Sequence, residues 1–281
     1  MNLSNEDLEN LRDARALLEN PSLAARIANA LGTPIERGLK LLPASASEII
    51  NHSTRVALEK ALQLAVTSLD RRALRPPSNL FHKLVVAGTG AGGGAFGLAG
   101  LPVELPISTM VMLRSIADVA RSEGELIATP AAKLACVEVF ALGGRATSDD
   151  ATETGYFAVR AALQQVLAEA AQHIAQKGVA QRGAPALVRV IAQIASRFGI
   201  VVSEKVAAQA IPVIGAAGGA FINVLFIDHY QDIARGHFVI RRLERKYGGD
   251  LVKAAYDSLW DGDRRSAWLH LYERRDLRQQ S

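Results

Sequence analysis

The sequence predicts an all-α fold: a single multi-helix domain built around two packed, glycine-rich helical hairpins. Three observations carry that expectation. Apolar residues make up 49% of the 281-residue chain, but aromatics only 5%, and 47 residues are Ala. Such a core suits closely packed helices, because Ala has the best helix propensity. It suits a β-sandwich poorly, since strands favour aromatic and β-branched residues. Helix start and stop signals recur along the chain, whereas only Leu84–Ala87 and Gly199–Ser203 read as short strands. Finally, two long runs carry no charge at all: Leu84–Val103 and Val206–Ile227.

The elements follow from this punctuation. Asn5 is expected to cap a first helix that ends near Asn20-Pro21. Thr33-Pro34 reads as N-cap and first residue of a short helix that Pro43 stops. Ser45 and Glu48 form a capping box opening a long helix to about Leu69. Arg71–Ser78 is a basic, proline-containing connection, and a boundary near residue 75 separates an N-terminal helical region, 1–75, from the core, 76–281. Pro106 reads as the start of a helix after the LPVELP segment. Thr129-Pro130 opens a further helix, ended by Gly143-Gly144, and Ala146–Thr154 is a polar, acidic loop. An Ala/Gln-rich helix spans Gly155–Lys177, with Gly178 as its stop. Pro185 begins the next, which Gly199 is expected to end. Pro212 lies near the start of a long helix running past Tyr230, and Gly248-Gly249 precedes two short helices bearing Trp260 and Trp268.

The net charge of +4 is a C-terminal property: from Arg235 onward there are 11 basic and 7 acidic residues. That excess reads as a solvated helical face or as attraction to anionic lipid headgroups. No nucleic-acid motif accompanies it, so nucleic acid is not an expected partner. Cys136 is the only cysteine, which rules out an internal disulfide and fits a reducing compartment. The polar start, MNLSNEDLENLRDAR, lacks the features of a signal peptide. The expected location is the cytoplasm, peripheral at the inner face of the membrane.

Three readings compete for the glycine-rich runs. Gly88–Gly93 satisfies G-x-G-x-x-G, but no alternation of strands and helices surrounds it. Runs of 20 and 22 uncharged residues reach the length of a membrane span, although Gly lowers their hydrophobicity and Pro212 interrupts the second. The third reading is close helix packing. Gly88/Gly92, Gly90/Gly94, Gly93/Gly97 and Gly215/Gly219 have small-xxx-small spacing, which bares the backbone on one helix face. GGAF recurs at Gly93–Phe96 and Gly218–Phe221, each followed by Asp-x-Ala-Arg, so two related hairpins packed on each other are expected.

Isolated polar residues beside these runs are the candidate functional cluster. Glu104 lies between Pro102 and Pro106, where it reads as a helix N-terminal carboxylate or a buried one. Arg114 and Asp118 are four apart and are expected to pair. Asn223, Tyr230 and His237 are seven apart on one helix face, with Arg241 a turn further. His229 and His237 are eight apart, about 80° round a helix, so they cannot chelate a metal as a neighbouring pair does. No ligand spacing matches a zinc pattern and no cofactor is expected; a metal site would need Glu104 or Asp118 from the other hairpin. G-x-S-x-G, a Walker lysine and a Cys–His arrangement are all missing from the sequence, and Cys136 reads as a core residue.

GGGAFGLAGLPVELPISTMVMLRSIADVARSEGE (Gly92–Glu125) and NVLFIDHYQDIARGHFVIRRLERKYG (Asn223–Gly248) resemble the signature of the EcsC family. The resemblance covers most of Phe81–Gly248. It implies a bacterial protein of a family named after a product encoded beside an ABC transporter, and it implies no established reaction. It places Glu104, Pro106, Arg114, Asp118, Asn223, His229, Tyr230, His237 and Arg241 in the family pattern without assigning their roles. The glycine-rich hairpins are similar in character to lipid-binding senescence-type domains. The leading expectation is a non-enzymatic, membrane-associated protein that binds lipid or acyl chains, or a membrane-protein partner such as an ABC transporter. The alternative is a metal-dependent or acid/base hydrolase with a site at Glu104, Asp118, His229 and His237.

Overall fold

The computed structural model describes residues 3–19, 22–32, 34–69, 97–144, 155–177, 184–211 and 215–259. The all-α expectation holds, and no strand occurs among the described residues. The helices are α1 (Asn5–Leu18), α2 (Leu23–Leu31), α3 (Ile35–Leu41), α4 (Ala46–Ser68), α5 (Gly97–Ser122), α6 (Pro130–Leu142), α7 (Gly155–Lys177), α8 (Pro185–Gln209) and α9 (Gly215–Tyr247). A last helix, α10, covers residues 249–259.

Several ends differ from the sequence reading. Ser4, not Asn5, caps α1: its hydroxyl accepts from the Asp7 N–H at 3.2 Å. Pro34 occupies the N-cap of α3 rather than its first turn. Ser45 has helical dihedrals and makes no side-chain cap bond, so no capping box forms, yet α4 spans the expected residues. Thr129 caps α6 as read, accepting from the Ala132 N–H at 3.2 Å. Helix α5 does not wait for Pro106 but runs from Gly97 through both prolines. Each proline removes one ladder donor, and their four-residue spacing puts both losses on the same helix face. Glu104 is therefore inside a helix, not ahead of one. Gly199 does not end a helix, and Gly199–Ser203 is no strand: α8 continues through it to Gln209.

The core is organised around α8, which packs against α2, α3, α4, α6, α7 and α9. Helix α4 lies along α5, and α1 lies along α9. The α1–α9 approach is close enough that a Cβ on Gly236 would stand 2.7 Å from the Ala14 carbonyl oxygen. One hydrophobic cluster runs from Leu11 to Tyr256, so the helices before residue 75 bury their apolar faces in the same core as those after it. Among the described residues α8 is the one helix long and apolar enough to cross a membrane. Phe198, Val202 and Val206 of this helix are buried in the core, while Val188 is exposed.

The second glycine-rich run is not one helix. Residues 206–209 close α8, and residues 215–227 open α9. The first run is described only from residue 97, so the pairing of the two hairpins lies outside the described residues. So do Gly88–Gly93, the 71–78 connection, the 146–154 loop, Trp260 and Trp268.

Candidate functional site

The seven-residue spacing on α9 does mark one buried face, which meets α6 along most of its length and Tyr156 of α7 at His237. Helices α6 and α9 run antiparallel along their contact. His229 Nε2 meets the Gly143 carbonyl at 2.9 Å, and the Tyr230 hydroxyl donates to the Phe140 carbonyl at 3.5 Å. Further along, His237 faces Glu138, and Arg241 reaches Glu125 just ahead of α6. Tyr230 is fully buried among Phe140, Phe198 and Phe226, with ring centroids 5.4–5.6 Å away. Burial drives its phenol far above the ordinary range. Tyr230 is thus a core anchor. Asn223 is half-buried, and its Oδ1 has no hydrogen-bond partner among the described residues.

The other candidates go elsewhere. Glu104 accepts from Lys205 of α8 at 2.5 Å. Asp118 is exposed and bonds Arg121, not Arg114; Arg121 also donates to the Leu69 carbonyl at the end of α4. Arg114 is exposed. Glu104, Asp118, His229 and His237 therefore have four different sets of partners, and the structure does not bring them into one group. No cluster of three or more His, Cys, Asp or Glu able to hold a metal occurs among the described residues. Cys136 is buried, and burial pushes its thiol up to about 12, which suits a core residue.

Arg241 lines a cavity, and His237 lies behind one of its lining residues, Glu138. The cavity measures about 590 Å³ and lies between α6, α7, the end of α9 and α10. Ala131, Leu134 and Ala135 of α6 and Leu167, Ala168 and Ala171 of α7 make one side apolar. The other end carries Glu138, Arg160, Arg241 and Glu244. Arg160 makes a two-pronged bond to Glu244, at 2.7 and 2.9 Å, and lies 5.4 Å from the Tyr156 ring centroid. Arg241 makes another with Glu125, at 2.7 and 3.3 Å. Burial alone would raise the Glu125 carboxyl, but Arg241 and Arg245 outweigh it and hold it low. Arg242 pairs with Glu123 and Lys246 with Asp7, while Arg241 and Arg245 share Glu125, so each of these cations has a carboxylate within the molecule.

Behind the polar end, the His237 Nδ1 shares a 2.9 Å hydrogen bond with the Tyr156 hydroxyl. Its Nε2 has no hydrogen-bond partner among the described residues and stands 3.9 Å from Glu138 Oε2. Burial, then the Arg160 and Arg241 charges, keep His237 well below its usual range, so the ring is neutral. Burial pushes Glu138 up to about 7 despite the same two guanidiniums.

These shifts give a stability profile with a definite sign. Glu138 binds its proton more tightly folded than unfolded, so its contribution is complete below pH 4.5 and is lost as pH rises through 7. His237 is depressed, so its contribution is present above pH 6.5 and is lost as pH falls below that value. The two oppose each other between pH 4.5 and 6.5, and above that Glu138 acts alone. Glu138→Gln is therefore expected to be more stable than wild type at pH 8, by about 2–3 kcal/mol at most. The gain should vanish toward pH 4.5. Thermal melts of both proteins across that range check it; a variant less stable at pH 8 would contradict it.

Glu138, Tyr156, Arg160 and Glu244 were not singled out from the sequence. The available signal was a lone carboxylate in the otherwise apolar stretch LACVEVFAL. No match is found among curated proteins or among solved structures. The EcsC protein family matches residues 5–243, which includes the N-terminal helices, the first motif stretch and the second as far as residue 243. On that match the chain belongs to the EcsC protein family.

Proposed function

We propose that this protein is a non-enzymatic binder of acyl-chain amphiphiles, acting at the cytoplasmic face of a membrane, and that the cavity beside α6 and α7 receives the chain. The supporting observation is the division of that cavity into an apolar side and a charged end. Its volume of about 590 Å³ falls inside the range of small-molecule sites, roughly 300–1,000 Å³. An aliphatic tail removes apolar wall from water while a polar head meets the charged end.

Ala168 offers a direct test. It lines the cavity from an exposed position on α7, so a large side chain there fills the space without entering the core. Wild type should bind a fluorescent acyl-chain probe saturably and co-sediment with vesicles. Ala168→Trp should weaken probe binding by about tenfold or more, with an unchanged melting temperature. Equal binding by the two proteins would sink the assignment of the cavity.

A further inference from the structure

Of the three carboxylates that line the cavity, Glu138, Glu244 and Asp250, only Glu138 is buried. Each cation lining the charged end is already engaged by a carboxylate: Arg160 by Glu244, Arg241 by Glu125 and Lys253 by Asp257. Glu138 is not matched in this way. Its side chain is only 6% exposed, it lines the cavity, and no hydrogen bond reaches its carboxyl among the described residues. His237 stands 3.9 Å away and is neutral, and the Arg160 and Arg241 charges act on Glu138 without a hydrogen bond to it. A buried carboxylate without a partner is costly, and a cation of good geometry offsets that cost. The same end of the cavity carries the Phe157 ring, which already has the Arg160 guanidinium and the Lys253 ammonium 5.8 Å from its centroid. A carboxylate beside an aromatic ring is the chemistry that receives an ammonium group.

We propose that the cavity is selective for an amphiphile whose head is a primary ammonium, with Glu138 as the accepting carboxylate and Phe157 as the ring at its flank. The proposal rests on the amphiphile reading above and adds the class of head. The shared chemistry is an ammonium on an aliphatic tail, whether it belongs to a membrane lipid headgroup or to a soluble alkylamine. An ammonium binds the ionised form of Glu138, so affinity should rise with pH toward 8 and fall below about 7. The groups facing Glu138 are Tyr156 and Arg160 on α7 and His237, Arg241 and Glu244 on α9, with Asp250 and Lys253 of α10 lining the same cavity. The arginines stay charged and His237 stays neutral through that interval, so Glu138 supplies the dependence.

The test uses the full chain, wild type and Glu138→Gln, with decylamine, decanol and decanoate below their micelle concentrations. Calorimetry should find decylamine tighter than decanoate by about tenfold or more at pH 8, a preference that Glu138→Gln abolishes. Decanoate binding as tightly as decylamine in wild type, or a preference untouched by the substitution, overturns the proposal while leaving the amphiphile reading standing. Failure of all three to bind removes that reading itself. Should Glu138→Gln not fold, the ratio of the probes in wild type and its pH dependence still decide. Co-sedimentation with phosphatidylethanolamine against phosphatidylcholine vesicles separates the sources. A Glu138-dependent preference for the former assigns a lipid headgroup, and decylamine selectivity without it assigns a soluble amine.

Discussion

Glu104→Ala should lower stability by about 3 kcal/mol, while Lys205→Met should cost no more than about 1 kcal/mol. The asymmetry follows from burial. The Lys205 side chain is 0% exposed and Glu104 is 23% exposed. The Lys205 ammonium rests on Glu104 and, 4.8 Å away, on the face of Phe226. Removing the carboxylate strands a charge that water cannot reach, and the aromatic face supplies only about 2 kcal/mol of relief at best. Removing the ammonium instead leaves a carboxylate that water can reach. Met also follows the unbranched Lys stem and fills the same gap in α8. Urea unfolding followed by helical circular dichroism gives both numbers. Equal losses would mean that the pair itself, rather than the stranded lysine, carries the energy. Neither residue lines the cavity, so amphiphile binding should survive both substitutions.

That pair also shows where local sequence stops informing. The helices were legible because their signals are local: Thr129-Pro130 caps and opens α6, and Gly155–Lys177 forms as read. Partners that arrive from a distant segment leave no such trace. The Glu104–Lys205 pair spans 101 positions, and Arg160 and Glu244 are 84 apart. Spacing suggested Arg114 for Asp118. Arg121 takes it instead, since its guanidinium already bridges to the Leu69 carbonyl and is held near α4. The α9 face was legible as a face, because Tyr230 and His237 repeat with the helix. Its neighbour was not, because periodicity says which residues turn inward and nothing about what they meet. Glu138 fell in that gap: on an apolar helix buried all round, one carboxylate looks like noise until Arg160, His237 and the cavity surround it.

Glycines show the same limit, and they give the second large effect. Gly38→Ala should destabilise by about 2 kcal/mol or more, and Gly199→Ala should stabilise by about 0.5–1 kcal/mol. Both sit inside helices, so propensity alone predicts a gain of up to about 1 kcal/mol at each. Space separates them. A Cβ on Gly38 would stand 1.9 Å from the Ala207 carbonyl oxygen and 2.5 Å from its carbon. Those are backbone atoms of α8, so α3 must move away as a unit, opening the contact that holds it. A Cβ on Gly199 would meet only Asn51 Oδ1, at 4.0 Å. Gly199 was expected to end its helix because glycine so often does, yet α8 passes through it and Ser203 bonds back to its carbonyl at 2.8 Å. Melting temperatures of the two variants should therefore move in opposite directions. A neutral Gly38→Ala would mean that α3 is not held at the surface of α8 at all. A destabilised Gly199→Ala would mean that α4 approaches α8 more closely than Asn51 indicates.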